Sequence, residues 1–162
     1  ITLKKKYYVF LVNQSGNRLG QEMKFNNILI KIPIIILGLH AIVNLFRGSI
    51  HFFLPEGGSI TIAGLDIGSG DQKQIIISIF AIMGASQIIW GVLELYILFY
   101  AKKMIPLILA FTTILAGMGV TVIYIFKPLP TIVPAHNNIY ILILLIIATI
   151  IAIRNRSMKD YL

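Results

Sequence analysis

The sequence predicts an all-α, polytopic membrane protein, an antiparallel bundle of four transmembrane helices. Three observations predict it. Apolar residues come in long, unalternating runs near the length of about 20 residues that a bilayer-crossing helix needs. A transmembrane barrel would instead show alternating segments of about ten. The 162-residue chain is 57% hydrophobic and 12% charged, with a mean hydropathy of +0.88, against about 25% charged residues in an ordinary soluble domain. The basic residues, finally, gather in segments that alternating helices would bring to one side.

The elements follow in chain order. Residues 1–26 form a basic segment. Its apolar stretch, Tyr7 to Val12 in "KKKYYVFLVNQSG", falls short of the ~7–15 residues of a signal-peptide core. A place at the cytoplasmic membrane surface is expected, with Lys4, Lys5 and Lys6 on anionic lipid or solvated. The transmembrane domain, 27–153, starts with a first span of about 27–53, "NILIKIPIIILGLHAIVNLF" and its continuation. An outer loop, 54–74, opens with the breaker "LPEGGS". The second span, about 75–100, and the third, about 104–126, are joined by "AKKM", a connection so short that the two must be antiparallel neighbours. Pro33 and Pro106 sit in the first turns of their helices, where a missing N–H costs little. Three prolines in "KPLPTIVPAHNN" precede the fourth span, about 138–154, which is short for a bilayer and calls for Asn138 and Arg154 at the interfaces. Residues 155–162 are read as a cytoplasmic tail.

Charge sets the expected orientation. Of 14 basic residues, Lys4, Lys5, Lys6, Arg18, Lys24, Lys31, Lys102, Lys103, Arg154, Arg156 and Lys159 fall on one side of four alternating spans. Only Arg47, Lys73 and Lys127 remain for the other, together with Glu56, Asp66 and Asp71. The positive-inside rule then places both termini in the cytoplasm. Topology accounts for the net charge of +8, so no nucleic-acid partner is expected. Membrane lipids are, and so is a protein partner or a second copy of the chain.

Polar residues inside the spans fall on narrow faces. His40, Asn44, Arg47 and His51 lie within about 60° of one another around the first helix; Gly84, Gln87, Gly91 and Glu94 lie within about 80° around the second. Polar side chains are costly against lipid, so the two stripes should face each other as a polar seam, with the glycines permitting close approach. Aligning the apolar runs puts His40 level with Gln87 near the midplane. Glu94 then falls deeper toward the cytoplasm, within reach of snorkelling Lys31 or Arg154. Arg47 is directed to Glu56, Asp66 or carbonyls near Asn137. Thr113, Gly117 and Thr121, at four-residue spacing on the third span, read as a helix-packing face.

Other chemistries lack support. Without cysteine there are no disulfides or thiolate sites. His51, His136, Glu56 and Asp66 are expected near the outer face, but with no chelating spacing, so no metal is expected. The glycine-rich outer loop lacks the phosphate-loop pattern, no catalytic constellation is present, and no cofactor is expected.

"FRGSIHFFLPEGGSITIAGLD", 46–66, and "FAIMGASQIIWGVLELYIL", 80–98, resemble segments of small, functionally unassigned four-helix membrane proteins of prokaryotes, DoxX-like in layout. The resemblance implies a four-helix bundle in a prokaryotic cell membrane, singles out Arg47, His51, Pro55, Gly64, Asp66 and Gln87, and brings no activity with it. The leading functional expectation is a non-enzymatic structural or accessory subunit. The alternative is a carrier or binding module for a small amphiphile or a proton-coupled solute, using His40, Gln87 and Glu94. The two differ physically: a scaffold needs a packed seam, and a carrier needs a cavity that reaches it.

Overall fold

The computed structural model describes residues 29, 31–60, 65, 67–126 and 138–155. These are helical with short connections, and no strand occurs among the described residues. The basic N-terminal segment, most of the tail, His136, Gly64 and Asp66 lie outside them.

Helix α1 runs Lys31–Phe53, α2 Gly70–Tyr100, α3 Ile105–Thr121 and α4 Asn138–Arg154. Pro33 is buried in the first turn of α1 and Pro106 occupies the first turn of α3, places where the missing donor breaks no helical hydrogen bond. A three-residue 3₁₀ turn, Lys102–Met104, leads into α3, and a wider π turn, Val122–Phe126, ends it. Helix α2 starts at Gly70, five residues before the apolar run that marks the second span, which corrects the expected loop of 54–74. Hydropathy reports where a chain suits lipid; the polar turn Asp71–Gln74 is helical all the same, with Asp71 placed favourably against the dipole of the first turn.

The register of α1 on α2 is set by glycine. A Cβ on Gly84 would lie 2.7 Å from the Gly48 carbonyl oxygen and 2.7 Å from the Phe52 nitrogen; one on Gly48 would lie 2.8 Å from the Gly84 oxygen. The two backbones touch where neither has a side chain. Further along, Gly91 meets the Ala41 carbonyl and Leu45 in the same way. The helices are therefore antiparallel, and Arg47 comes level with Gln87. Helices α3 and α4 are also antiparallel, with the Thr113 hydroxyl 2.8 Å from that of Thr149 and Gly117 near Leu142. Thr121 donates within its own helix, to the Gly117 carbonyl.

The interior is divided along its length. At the end carrying Lys31, Lys102, Lys103 and Arg154, a dense core joins all four helices through Leu37, Ile97, Ile105, Leu109, Leu145 and Ala148. At the other end α1 closes with a tight turn. His51 Nδ1 is 2.6 Å from the Gly57 carbonyl oxygen, its ring stands edge-on to Phe80, and Gly57 and Gly58 take the positive φ the turn requires. Outer surfaces are apolar, with Ile82 and Ile89 each 69% exposed and Phe126 73% exposed. Helices α1, α2 and the Lys102–Phe126 segment are long and apolar enough to cross a membrane; α4, at 17 residues, is shorter.

Candidate functional site

Just beyond the dense core, α1, α2 and α3 meet at Glu94, whose side chain is fully buried. His40 Nδ1 lies 2.9 and 3.0 Å from the two carboxylate oxygens. The Asn44 amide donates to Oε2 at 3.3 Å, and the Thr112 hydroxyl donates to Oε1 at 3.0 Å. Thr112 in turn accepts from Trp90 Nε1 at 3.1 Å. A carboxylate offers about four acceptor sites, and here three donors from two other helices use them. With Nδ1–H given to Glu94, the 3.2 Å approach of the Asn44 amide to the same nitrogen is a contact and not a second bond. The Asn44 donor then belongs to Glu94, and Nδ1–H serves Glu94 whether the ring is neutral or protonated.

Two expected pairings differ in the structure. Glu94 is held by His40 and not by Lys31 or Arg154; Gln87 lies two turns away from His40. Aligning the apolar runs by their midpoints misplaces the helices by those two turns, about 10 Å, because close glycine contact and not run length sets the register. Arg47 reaches α4, where its Nη1 donates to Asn138 Oδ1 at 3.3 Å, next to the expected Asn137. Its Nε is buried without a partner, as is Gln87 Oε1. His51 belongs to the turn that closes α1 and not to the Glu94 network. Thr112, Trp90 and Gly48 were not singled out by the sequence. For Thr112 a signal existed: a hydroxyl on the third span one helical face away from the small-residue stripe. Among the described residues no three metal-ligating side chains gather, and His136 and Asp66 lie outside that set.

Above the network, toward the Gly57 turn, the helices part around a cavity of about 470 Å³. Every helix contributes to its wall: His40, Asn44 and Arg47 from α1, Gln87 and Trp90 from α2, Thr112 and Gly119 from α3, Asn138 from α4. Val43, Met83, Leu115, Val120, Ile123 and Ile141 make the rest apolar. The volume lies in the range of about 300–1,000 Å³ typical of small-molecule sites. A smaller apolar cavity of about 130 Å³ between α1 and α4 meets the other side of His40. The cavity is thus polar at two levels, Arg47–Gln87–Asn138 and His40–Asn44–Thr112, with an apolar wall between.

Thr112→Val tests the bridge between Trp90 and Glu94. Valine keeps the shape but removes the hydroxyl, leaving the indole N–H unpaired. A loss of about 1–3 kcal/mol is expected, read as a lower thermal midpoint in detergent.

Compared with known proteins, the chain matches no protein-family model, no curated protein and no solved structure.

Proposed function

We propose that this is a small integral membrane protein of four spans, with both termini in the cytoplasm, that binds a small amphiphile in the cavity between its helices. Three helices of sufficient length, a fourth of about 26 Å that spans with modest local thinning, and an apolar exterior support the membrane placement. Lys31, Lys102, Lys103 and Arg154 at one end of the helices support the orientation. The reading of the cavity rests on a single observation: the polar seam is not packed shut but opens into about 470 Å³ of mixed polar and apolar lining. An accessory subunit, the leading expectation from sequence, has no need of such a space. The same geometry offers a carrier an imidazole on the cavity wall, His40, oriented by Glu94 in the way that carboxylates orient functional histidines.

Extraction from native membrane in mild detergent, followed by native mass spectrometry, tests the reading. A protein carrying a bound amphiphile is expected. Gly119 lines the cavity and has nothing within 4 Å of where a Cβ would sit. Gly119→Phe should therefore enter the space without moving the backbone and lower the bound fraction roughly tenfold. A stoichiometric protein partner with no small molecule would overturn the proposal in favour of the accessory role.

A further inference from the structure

We infer that the ligand's head group carries a carboxylate and, beside it, an N–H or O–H donor, as in an N-acyl amino acid. The inference rests on the amphiphile-binding reading and specifies its chemistry from two side chains at one level of the cavity. Arg47 keeps its charge in any protein environment. Among the described residues its one hydrogen-bond partner is the neutral Asn138 Oδ1, at 3.3 Å, and its Nε is buried and unpartnered. The described residues place no carboxylate within ion-pair distance of it. Glu94 is two turns away along the seam and already serves three donors. This end of the cavity therefore favours an anion, and a carboxylate fits a guanidinium with directional, charge-assisted bonds.

Gln87 adds the second requirement. The α1–α2 register brings it level with Arg47, both line the cavity, and its Oε1 is a buried acceptor without a donor. A plain fatty acid satisfies Arg47 and leaves Gln87 unsatisfied. A fatty alcohol does the reverse. A carboxylate with an amide N–H or a hydroxyl a bond or two away satisfies both. The wall of Val43, Met83, Leu115, Val120 and Ile123 takes an acyl chain. One chain and one charge suit the space better than a two-chain phospholipid.

Trp90 is the only tryptophan of the chain and lines the cavity, so its fluorescence reports binding directly. The purified full chain in neutral detergent is titrated with N-decanoylglycine, its methyl ester, decanoate and decanol. N-decanoylglycine should bind about tenfold or more tightly than each of the others. Arg47→Gln should erase the preference for acid over ester while leaving the methyl ester and decanol within about twofold, and Gln87→Leu should erase the preference for N-decanoylglycine over decanoate while leaving decanoate within about twofold. Equal binding of all four probes, abolished by Gly119→Phe, would overturn the head-group assignment while sparing the cavity as an amphiphile site. No response to any probe in the wild type would overturn both. A variant that fails to purify is replaced by Arg47→Lys, which keeps the charge but not the Nε donor and should weaken N-decanoylglycine without abolishing the acid–ester difference.

Discussion

Gly84→Leu should separate α1 from α2 and cost at least about 3 kcal/mol, the upper end of what overpacking usually costs. The reason lies in what the new side chain meets. Its Cβ would sit 2.7 Å from both the Gly48 oxygen and the Phe52 nitrogen and 2.8 Å from His51 Cβ. Two of the three are backbone atoms, and no rotamer change moves them. The helices must part, and everything that depends on their register parts with them, including the His40–Glu94 bond two to three turns along the same seam. Between helices in lipid, hydrophobic burial supplies little driving force, so close van der Waals contact is the main attraction lost. Thermal unfolding in detergent, followed by circular dichroism, reads the effect. Gly119→Ala is the control: with open space around its Cβ, alanine should leave the midpoint unchanged or raise it, since it favours the helix by up to about 1 kcal/mol. An unchanged midpoint for Gly84→Leu would show that the glycine contact does not set the register.

That contact also marks how far the sequence could be read. The helices are legible because run length and helical periodicity are local properties. The two polar stripes are legible for the same reason: once His40, Asn44 and Arg47 share one face and Gln87 and Glu94 another, the cost of polar groups in an apolar interior turns the faces inward. The sliding register is not local. It depends on which glycines meet, and Gly48, the partner of Gly84, sits off the polar stripe that drew attention to its helix. A shift of two turns leaves every helix intact and changes the partners across the α1–α2 seam, so Glu94 is expected beside Lys31 or Arg154 and is found beside His40. Thr112 was missed because its neighbour Thr113 completes the small-residue spacing with Gly117. The structure uses both, Thr113 toward α4 and Thr112 toward Glu94. The cavity could not be read at all. It is what remains after the large residues have packed the end near Lys31, and no single residue encodes a remainder.

Glu94→Ala should be the most damaging substitution in the polar network, by about 3–5 kcal/mol, the usual cost of removing one partner of a buried pair. Among the described residues the carboxylate is the only acceptor common to His40, Asn44 and Thr112, and its loss strands donors from two helices while opening a void on a third. Glu94→Gln separates the contributions. The amide keeps the volume and one acceptor oxygen, but its NH₂ confronts a donor that the carboxylate accepted, so a smaller loss of about 1–3 kcal/mol is expected. Combining Glu94→Ala with His40→Ala makes the test quantitative. If the two side chains act as one unit, the double variant should lose less than the two single losses added together, by about 0.5–3 kcal/mol; strict additivity in thermal or denaturant unfolding would show that the 2.9 Å contact carries no energy. The same variants bear on function without relying on stability. Glutamine at 94 can turn either its oxygen or its NH₂ toward His40 Nδ1, so the ring loses the acceptor-only partner that orients it. A carrier that moves a proton through His40 loses coupling in Glu94→Gln reconstituted in vesicles, even where the folded protein still binds its amphiphile. If Glu94 serves packing alone, the folded fraction of the variant should keep both binding and coupling.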